Sequence, residues 1–196
     1  MNRVFGCLEG CSDCCIYRQY FPSIKYGKIG VLLLPEEKWT IEKKAKALKT
    51  KIRILPRVGI STKENLEAPE EILAYQLMGK RANGNYCPFL DVKTQRRSPH
   101  GGYPCKIYDS RPLACKAYPV ISESRNNLSL DSQCAFSCKY GPSCAPYMME
   151  TELLALNKIK RSMNSSPQSN VWRYATGIGE DKYKKQFLPE GWYFQG

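Results

Sequence analysis

The chain has 196 residues, 42% of them hydrophobic and 24% charged, with a formal net charge of +12. These proportions exclude a disordered or collagen-like chain, and the length suffices to bury a core without cross-links. The longest aliphatic run, Val31 to Leu34, is too short to span a bilayer, and residues 1–7 carry no apolar leader, so membrane and secretory classes are set aside and a cytoplasmic location is expected.

Ten cysteines are far above ordinary usage. In a reducing compartment structural disulfides are rare, so metal ligation is the expected use. In chain order, the first feature is Cys7-x3-Cys11-x2-Cys14-Cys15, four thiols within nine residues that can wrap one metal or cluster at little cost in loop entropy. Gly6 and Gly10 permit the tight backbone this needs. In extended chain, Cys14 and Cys15 point to opposite faces, so they are not expected to share one ion. The 71 residues from Ile16 to Tyr86 contain no cysteine, so any shared site must be closed by the fold.

That stretch reads as mixed structure. Lys28 to Leu34 is a strand candidate. Pro35-Glu36-Glu37 suits a helix start, followed by the stripe Ile41, Ala45, Leu48 and Ile52. Ile52 to Ile60 reads as a strand, and Pro69-Glu70-Glu71 repeats the helix-start signal before Ile72, Leu73, Tyr75, Leu77 and Met78. Eight basic residues and one acid, Glu42, lie between Lys38 and Arg57. Asn83-Gly84-Asn85, Gly101-Gly102 and Asn126-Asn127 mark loops. Pro112 can open a short helix carrying Cys115 and Tyr118, with Arg111 offsetting thiolate charge or hydrogen-bonding backbone carbonyls. A last helix is expected from Pro146 to Met163, with Met149, Leu153, Leu156 and Ile159 on one face.

Residues 1–162 are read as one cysteine-cluster metal-binding domain, and 163–196 as a partly flexible C-terminal tail. Residues 190–196 also fit the spacing Glu-x-x-Tyr-x-Gln-Gly of a tag-removal protease site, so no function is assigned to them. The expected fold class is α+β: a small irregular cysteine-rich domain built around a metal site, with several helices and short strands.

Zinc prefers two Cys-x2–4-Cys knuckles, for which Cys11-x2-Cys14 and Cys134-x3-Cys138 qualify. Three close cysteines plus a remote one suit an iron–sulfur cluster, first of all a 4Fe-4S cluster, and this is preferred, with zinc as the alternative. His100, the only histidine, is read as a surface residue. Cys7-x3-Cys11-x2-Cys14 also has the spacing of the radical SAM cluster motif. However, Asp13 stands where that superfamily prefers an aromatic, and the βα units of its barrel are not visible.

Two stretches together resemble the YkgJ-type cysteine-cluster family of zinc- or iron-chelating proteins. One is Cys7 to Cys15. The other joins Cys87-Pro88-Phe89-Leu90-Asp91 to Cys105-Lys106-Ile107-Tyr108-Asp109-Ser110-Arg111-Pro112-Leu113-Ala114-Cys115-Lys116-Ala117-Tyr118-Pro119, close to the family pattern Cys-x-Ile-Tyr-x-x-Arg-Pro-x-x-Cys-Arg-x-Tyr/Phe-Pro. The resemblance implies a ligand set of Cys7, Cys11, Cys14, Cys15, Cys87, Cys105, Cys115, Cys134 and Cys138, with Cys144 spare. The spacing from Cys7 to Cys11 is one residue longer than the commoner motif, and Lys116 stands for the usual Arg. The resemblance also implies an iron–sulfur oxidoreductase or a protein-modifying enzyme related to flagellin lysine methylases. No Gly-rich loop for S-adenosylmethionine is visible. A structural module whose basic face binds nucleic acid or a protein is the remaining reading; an unidentified protein partner or substrate is preferred over nucleic acid, and no membrane partner is expected.

Overall fold

The computed structural model describes residues 5–16, 30–81, 85–164, 168–175, 179–181, 186–188 and 191–195. Helix α1 (Asp13–Ile16) carries Cys14 and Cys15. Strand β1 (Gly30–Leu33) ends just before Pro35, which has no N–H for a strand ladder but suits the first turn of a helix. Helix α2 (Pro35–Ala47) starts there, and the Glu37 carboxylate accepts the otherwise orphaned Leu34 N–H at 2.9 Å. Ile41 and Ala45 of the expected stripe are buried, while Leu48 caps the helix and is exposed.

Strands β2 (Ile54–Ser61) and β3 (Glu71–Met78) follow, then the short pair β4 (Lys80–Arg81) and β5 (Asn85–Tyr86). The part of the Asn83–Asn85 loop at 83–84 and the start of the first strand candidate, residues 28–29, lie outside the described residues. The helix expected after Pro69 is instead β3. Its start signal serves a loop: the Glu70 carboxylate accepts from the Thr62 N–H (3.2 Å), the Thr62 hydroxyl (3.2 Å) and the Asn65 amide (2.9 Å). Glu70 therefore closes residues 62–70 onto β2, and Glu71–Met78 pairs with strands on both sides. Tertiary pairing outweighs the local helix signal.

Next come α3 (Leu113–Ala117), the hairpin β6 (Val120–Ser124) and β7 (Asn127–Leu130), α4 (Ala135–Tyr140), β8 (Ser143–Cys144) and α5 (Glu150–Ser162). The chain ends with β9 (Asn170–Ala175), β10 (Gly179–Asp181), β11 (Gln186–Leu188) and β12 (Gly191–Gln195). The fold is α+β.

Two compact units are formed, each from separated stretches of the described chain. The first draws on residues within 1–18 and 89–160. Its strands β6, β7 and β8 form an antiparallel sheet. Its core joins Val120, Leu128, Leu130, Cys134, Phe136 and Met149, with Phe5, Tyr118, Leu153 and Leu156 packed against it. Met149, Leu153 and Leu156 thus use the face their helical spacing presents. The second unit draws on residues within 19–88 and 161–196. Its antiparallel sheet has the order β1-β3-β2-β9-β12. Trp172 on β9 is buried and donates its indole N–H to the Ser61 hydroxyl at 2.9 Å. Residues 171–175 and 191–195 are therefore sheet strands at one side of this unit. Among the described residues, no helix is long and apolar enough to cross a membrane.

Candidate metal centre

The N-terminal cysteine turn is built from local hydrogen bonds. The Cys11 N–H donates to the Leu8 carbonyl at 3.1 Å, and the Cys15 N–H to the Ser12 carbonyl at 2.9 Å. Gly10 has φ 73°, a left-handed conformation that an L side chain resists. Cys14 and Cys15 lie on one helical turn rather than in extended chain, and their Sγ atoms are 4.0 Å apart. Helical backbone turns neighbouring side chains by about 100°, which brings together two thiols that a strand would separate.

A second segment straps this turn in place. The Gly10 N–H donates to the His100 carbonyl, and the Tyr103 N–H donates to the Ser12 hydroxyl at 2.7 Å. Gly102 allows the approach, since a Cβ there would collide with the Cys11 carbonyl and the Ser12 hydroxyl. Sequence reading marks Gly101-Gly102 only as a loop; its contact with the cysteine turn is a tertiary fact.

All but one of the remaining thiols come from short elements of the same unit. Cys105 bridges Leu90 across an isolated β-bridge. Cys115 sits on α3, whose entry at Pro112 matches the helix expected there. Cys134 stands at the N-terminal cap of α4. Cys138, one turn later, is exposed and its thiol donates to the Ser132 carbonyl at 3.1 Å. Cys144, on β8, packs against the hydrophobic core. Cys87 is buried in the second unit.

A cavity of about 210 Å³ in the first unit is walled by Cys7, Cys11, Cys14, Cys115 and Cys134. Asp13, His100, Tyr108, Arg111, Tyr118 and Glu152 are also among its lining residues. Phe136 and Cys134 belong both to this wall and to the hydrophobic core, which gives the site a rigid back. Arg111 donates through Nε to the Tyr108 carbonyl at 3.0 Å, and its guanidinium carbon lies 3.8 Å from the Tyr108 ring centroid. The arginine is thus held by Tyr108 through two contacts, and the hydrogen bond to a backbone carbonyl expected of it is present.

The electrostatics are those of thiols crowded out of water. Cys7 is exposed as a residue, yet its thiol lines the cavity; desolvation there pushes it up to about 11, and Cys14, Cys11 and Cys134 add to the shift. Burial also raises Cys11, Cys105 and Cys134. Arg111 opposes the shift at Cys7 and Cys105. Backbone N–H groups of Ser137 and Phe136 oppose it at Cys134. Burial likewise raises the Glu152 carboxyl, against the pull of Arg111. The wall therefore favours neutral thiols until a cation takes the place of their protons.

Cysteine sulfur suits zinc and iron alike. A tetrahedral zinc with Zn–S near 2.3 Å holds its sulfurs about 3.8 Å apart. Cys14 and Cys15 approach that spacing, but among the described residues no three Cys, His, Asp or Glu side chains are grouped closely enough to hold one ion. The five wall thiols surround a volume instead of converging on a point.

His100, for which a surface position is the preferred sequence reading and its place five residues before Cys105 the only signal of a site, lines the cavity. Glu152 is a wall residue that sequence reasoning missed: it lies on a helix whose visible signal is its apolar stripe, and it reaches the cavity through long-range packing.

The family model described as CxxCxxCC, a putative zinc- or iron-chelating domain, matches residues 6–139. Compared with the curated proteins and with the solved structures, the chain has no match.

Proposed function

The chain belongs to the CxxCxxCC family of zinc- or iron-chelating domains, and from that premise we propose that it binds an iron–sulfur cluster and serves as a redox or cluster-dependent component of an enzyme. The observation that carries this reading is the cavity ringed by Cys7, Cys11, Cys14, Cys115 and Cys134 with no three donors converging on a point. A 4Fe-4S cluster takes one thiolate per iron and spreads them around its body, whereas a lone zinc draws four sulfurs to one centre. Cys15, beside Cys14, and Cys105, which is electrostatically coupled to Cys14, are the reserve ligands. Cys138, turned to the Ser132 carbonyl, draws no support from this cavity.

When bound, the cluster would supply one-electron chemistry. The chain's own groups would hold it and set its surroundings. Arg111 offsets thiolate charge, Tyr108 and Tyr118 limit water, and the phenylalanine-backed wall keeps the thiols in place.

Anaerobic purification followed by iron, zinc and acid-labile sulfide analysis tests the proposal. Iron with matching sulfide, and a visible absorption bleached by dithionite, is the expected result. Stoichiometric zinc without colour, after expression with ample iron, overturns it in favour of a structural zinc module.

A second reading rests on a separate observation. Lys43, Lys44, Lys46, Lys49, Lys51 and Arg53 are all exposed on and just after α2, beside Trp39, which is 66% exposed with the Lys43 ammonium 5.1 Å from its ring. Cations around an accessible indole suit a single-stranded nucleic acid, with phosphates on the lysines and a base on the ring. Binding that weakens steeply with salt supports this reading; no binding at low salt ends it.

A further inference from the structure

The second unit contains a cavity of about 340 Å³ that has no part in the cysteine site. It is lined by Arg57, Val58, Leu73, Val171, Arg173 and Tyr174 among others, and no Asp or Glu is among its described lining residues. The ladder between β2 and β3 explains how it is built. Pro56 pairs with Tyr75 and Val58 with Ala74, so Arg57 is an extra residue on β2. Val58 pairs with Ala74 and Gly59 with Ile72, so Leu73 is an extra residue on β3. Both bulged residues line the cavity, and so does Val58, which in regular strand would point away from the face used by its neighbour Arg57. Bulges re-aim side chains in this way, and they gather next to binding sites. On the next strand, Arg173 sits opposite Val58, and Val171 lies two residues before it on the same face.

We propose that this cavity binds a small organic oxyanion, with a carboxylate or phosphate head held by Arg57 and Arg173 and an apolar body lying along Leu73, Val58 and Val171. Each guanidinium carries five N–H donors in a planar fork, so one that also bonds within the protein keeps donors for a ligand. Two cations, with no acid among the described wall residues, select for negative charge, and the aliphatic lining selects for an apolar body. Arg57, Val58 and Leu73 lie within the stretch matched by the family, whereas Arg173, Val171 and Tyr174 lie beyond it, so the site is completed by residues outside the matched stretch.

The test uses the full chain and four probes in calorimetric titrations: octanoate, octyl phosphate, octanol and inorganic phosphate. Saturable one-to-one binding of octanoate or octyl phosphate, about tenfold or more tighter than both octanol and inorganic phosphate, is expected. The tighter of the two amphiphiles identifies the head group. Octanol binding as well as the amphiphilic anions overturns the role of the arginines. Inorganic phosphate binding equally well overturns the role of the apolar wall. No saturable binding of either amphiphile overturns the site itself. In Arg173→Gln, with its fold checked by circular dichroism, affinity should fall about tenfold; unchanged affinity contradicts the proposal. Because the probe comparison uses the unaltered chain, it decides the matter even if that variant fails to fold. No metal is needed, so the result is independent of the cysteine cavity.

Discussion

The Tyr103 backbone N–H donates to the Ser12 hydroxyl at 2.7 Å, joining residues 91 positions apart. This bond and the neighbouring one from Gly10 to the His100 carbonyl fasten the N-terminal cysteine turn to the loop that precedes Cys105. The geometry of the cysteine turn therefore depends on residues other than its cysteines.

Gly102→Ala should disturb the site without touching a thiol. Its Cβ meets the Cys11 backbone, which cannot swing aside as a flexible side chain would. A destabilisation of about 1–3 kcal/mol is expected from such overpacking, read from urea unfolding, together with reduced metal content. Ser12→Ala removes only one exposed hydrogen bond and should cost about 0.5–1.5 kcal/mol at most. Full stability and full metal loading in Gly102→Ala would show that the strap does not position the turn.

Cys115→Ser should abolish metal loading, and Cys144→Ser should leave it intact. Cys115 faces the cavity from α3, whereas Cys144 packs on the core from β8. Metal and sulfide content of the two purified variants reads the difference directly. Equal losses would mean that the cavity ring is not the ligand set.

Arg111→Gln should weaken metal affinity about 10–100-fold, the usual loss when a partner outside the ligand set is removed. The guanidinium opposes the upward shifts at Cys7 and Cys105, so without it both thiols hold their protons more tightly. Arg111→Lys should restore only part of the affinity, since a lysine cannot reproduce the planar contact with Tyr108. Chelator competition measures both variants, and an unchanged affinity in Arg111→Gln would remove the arginine from the site.

The unloaded protein should lose stability as pH rises from about 9 to about 11. Cys7 moves from an ordinary 9.0 to about 11 on folding, with Cys11, Cys105 and Cys134 raised in the same direction. Below pH 9 these thiols are protonated in both states, and their contribution is fully present. Between about pH 9 and about 11 the unfolded chain gives up protons that the folded chain keeps, so the contribution of Cys7 is lost across that window. Urea midpoints measured against pH should fall there in the wild type and fall less in Cys7→Ser. Loading reverses the bias, because each ligating thiol must release its proton; chelator-measured affinity should rise with pH through the neutral range.

Much of the local structure was legible in the residues. Pro35-Glu36-Glu37 starts a helix because proline and acidic side chains suit the first turn, and the apolar spacing of α5 shows which face it buries. Pro69-Glu70-Glu71 carries the same letters, yet Glu70 is used to close a loop and the following segment becomes β3. Nothing local separates these two cases, since the difference lies in strands β1 and β2 standing ready on either side. The thiol pair Cys14 and Cys15 shows the same limit: its divergence was argued for extended chain, and a single turn of helix brought the two sulfurs to 4.0 Å.

By itself the sequence determined the cysteine chemistry, the family pattern from Cys7 to Pro119 and the α+β character, because these depend on residue type, spacing and short-range periodicity. Only the tertiary structure decided which thiols share a wall, that His100 and Glu152 join them, and that two bulges turn Arg57 and Leu73 into one cavity. Those outcomes depend on contacts between residues far apart in the chain, and the free energy of such contacts comes from packing and desolvation that no short window of sequence contains.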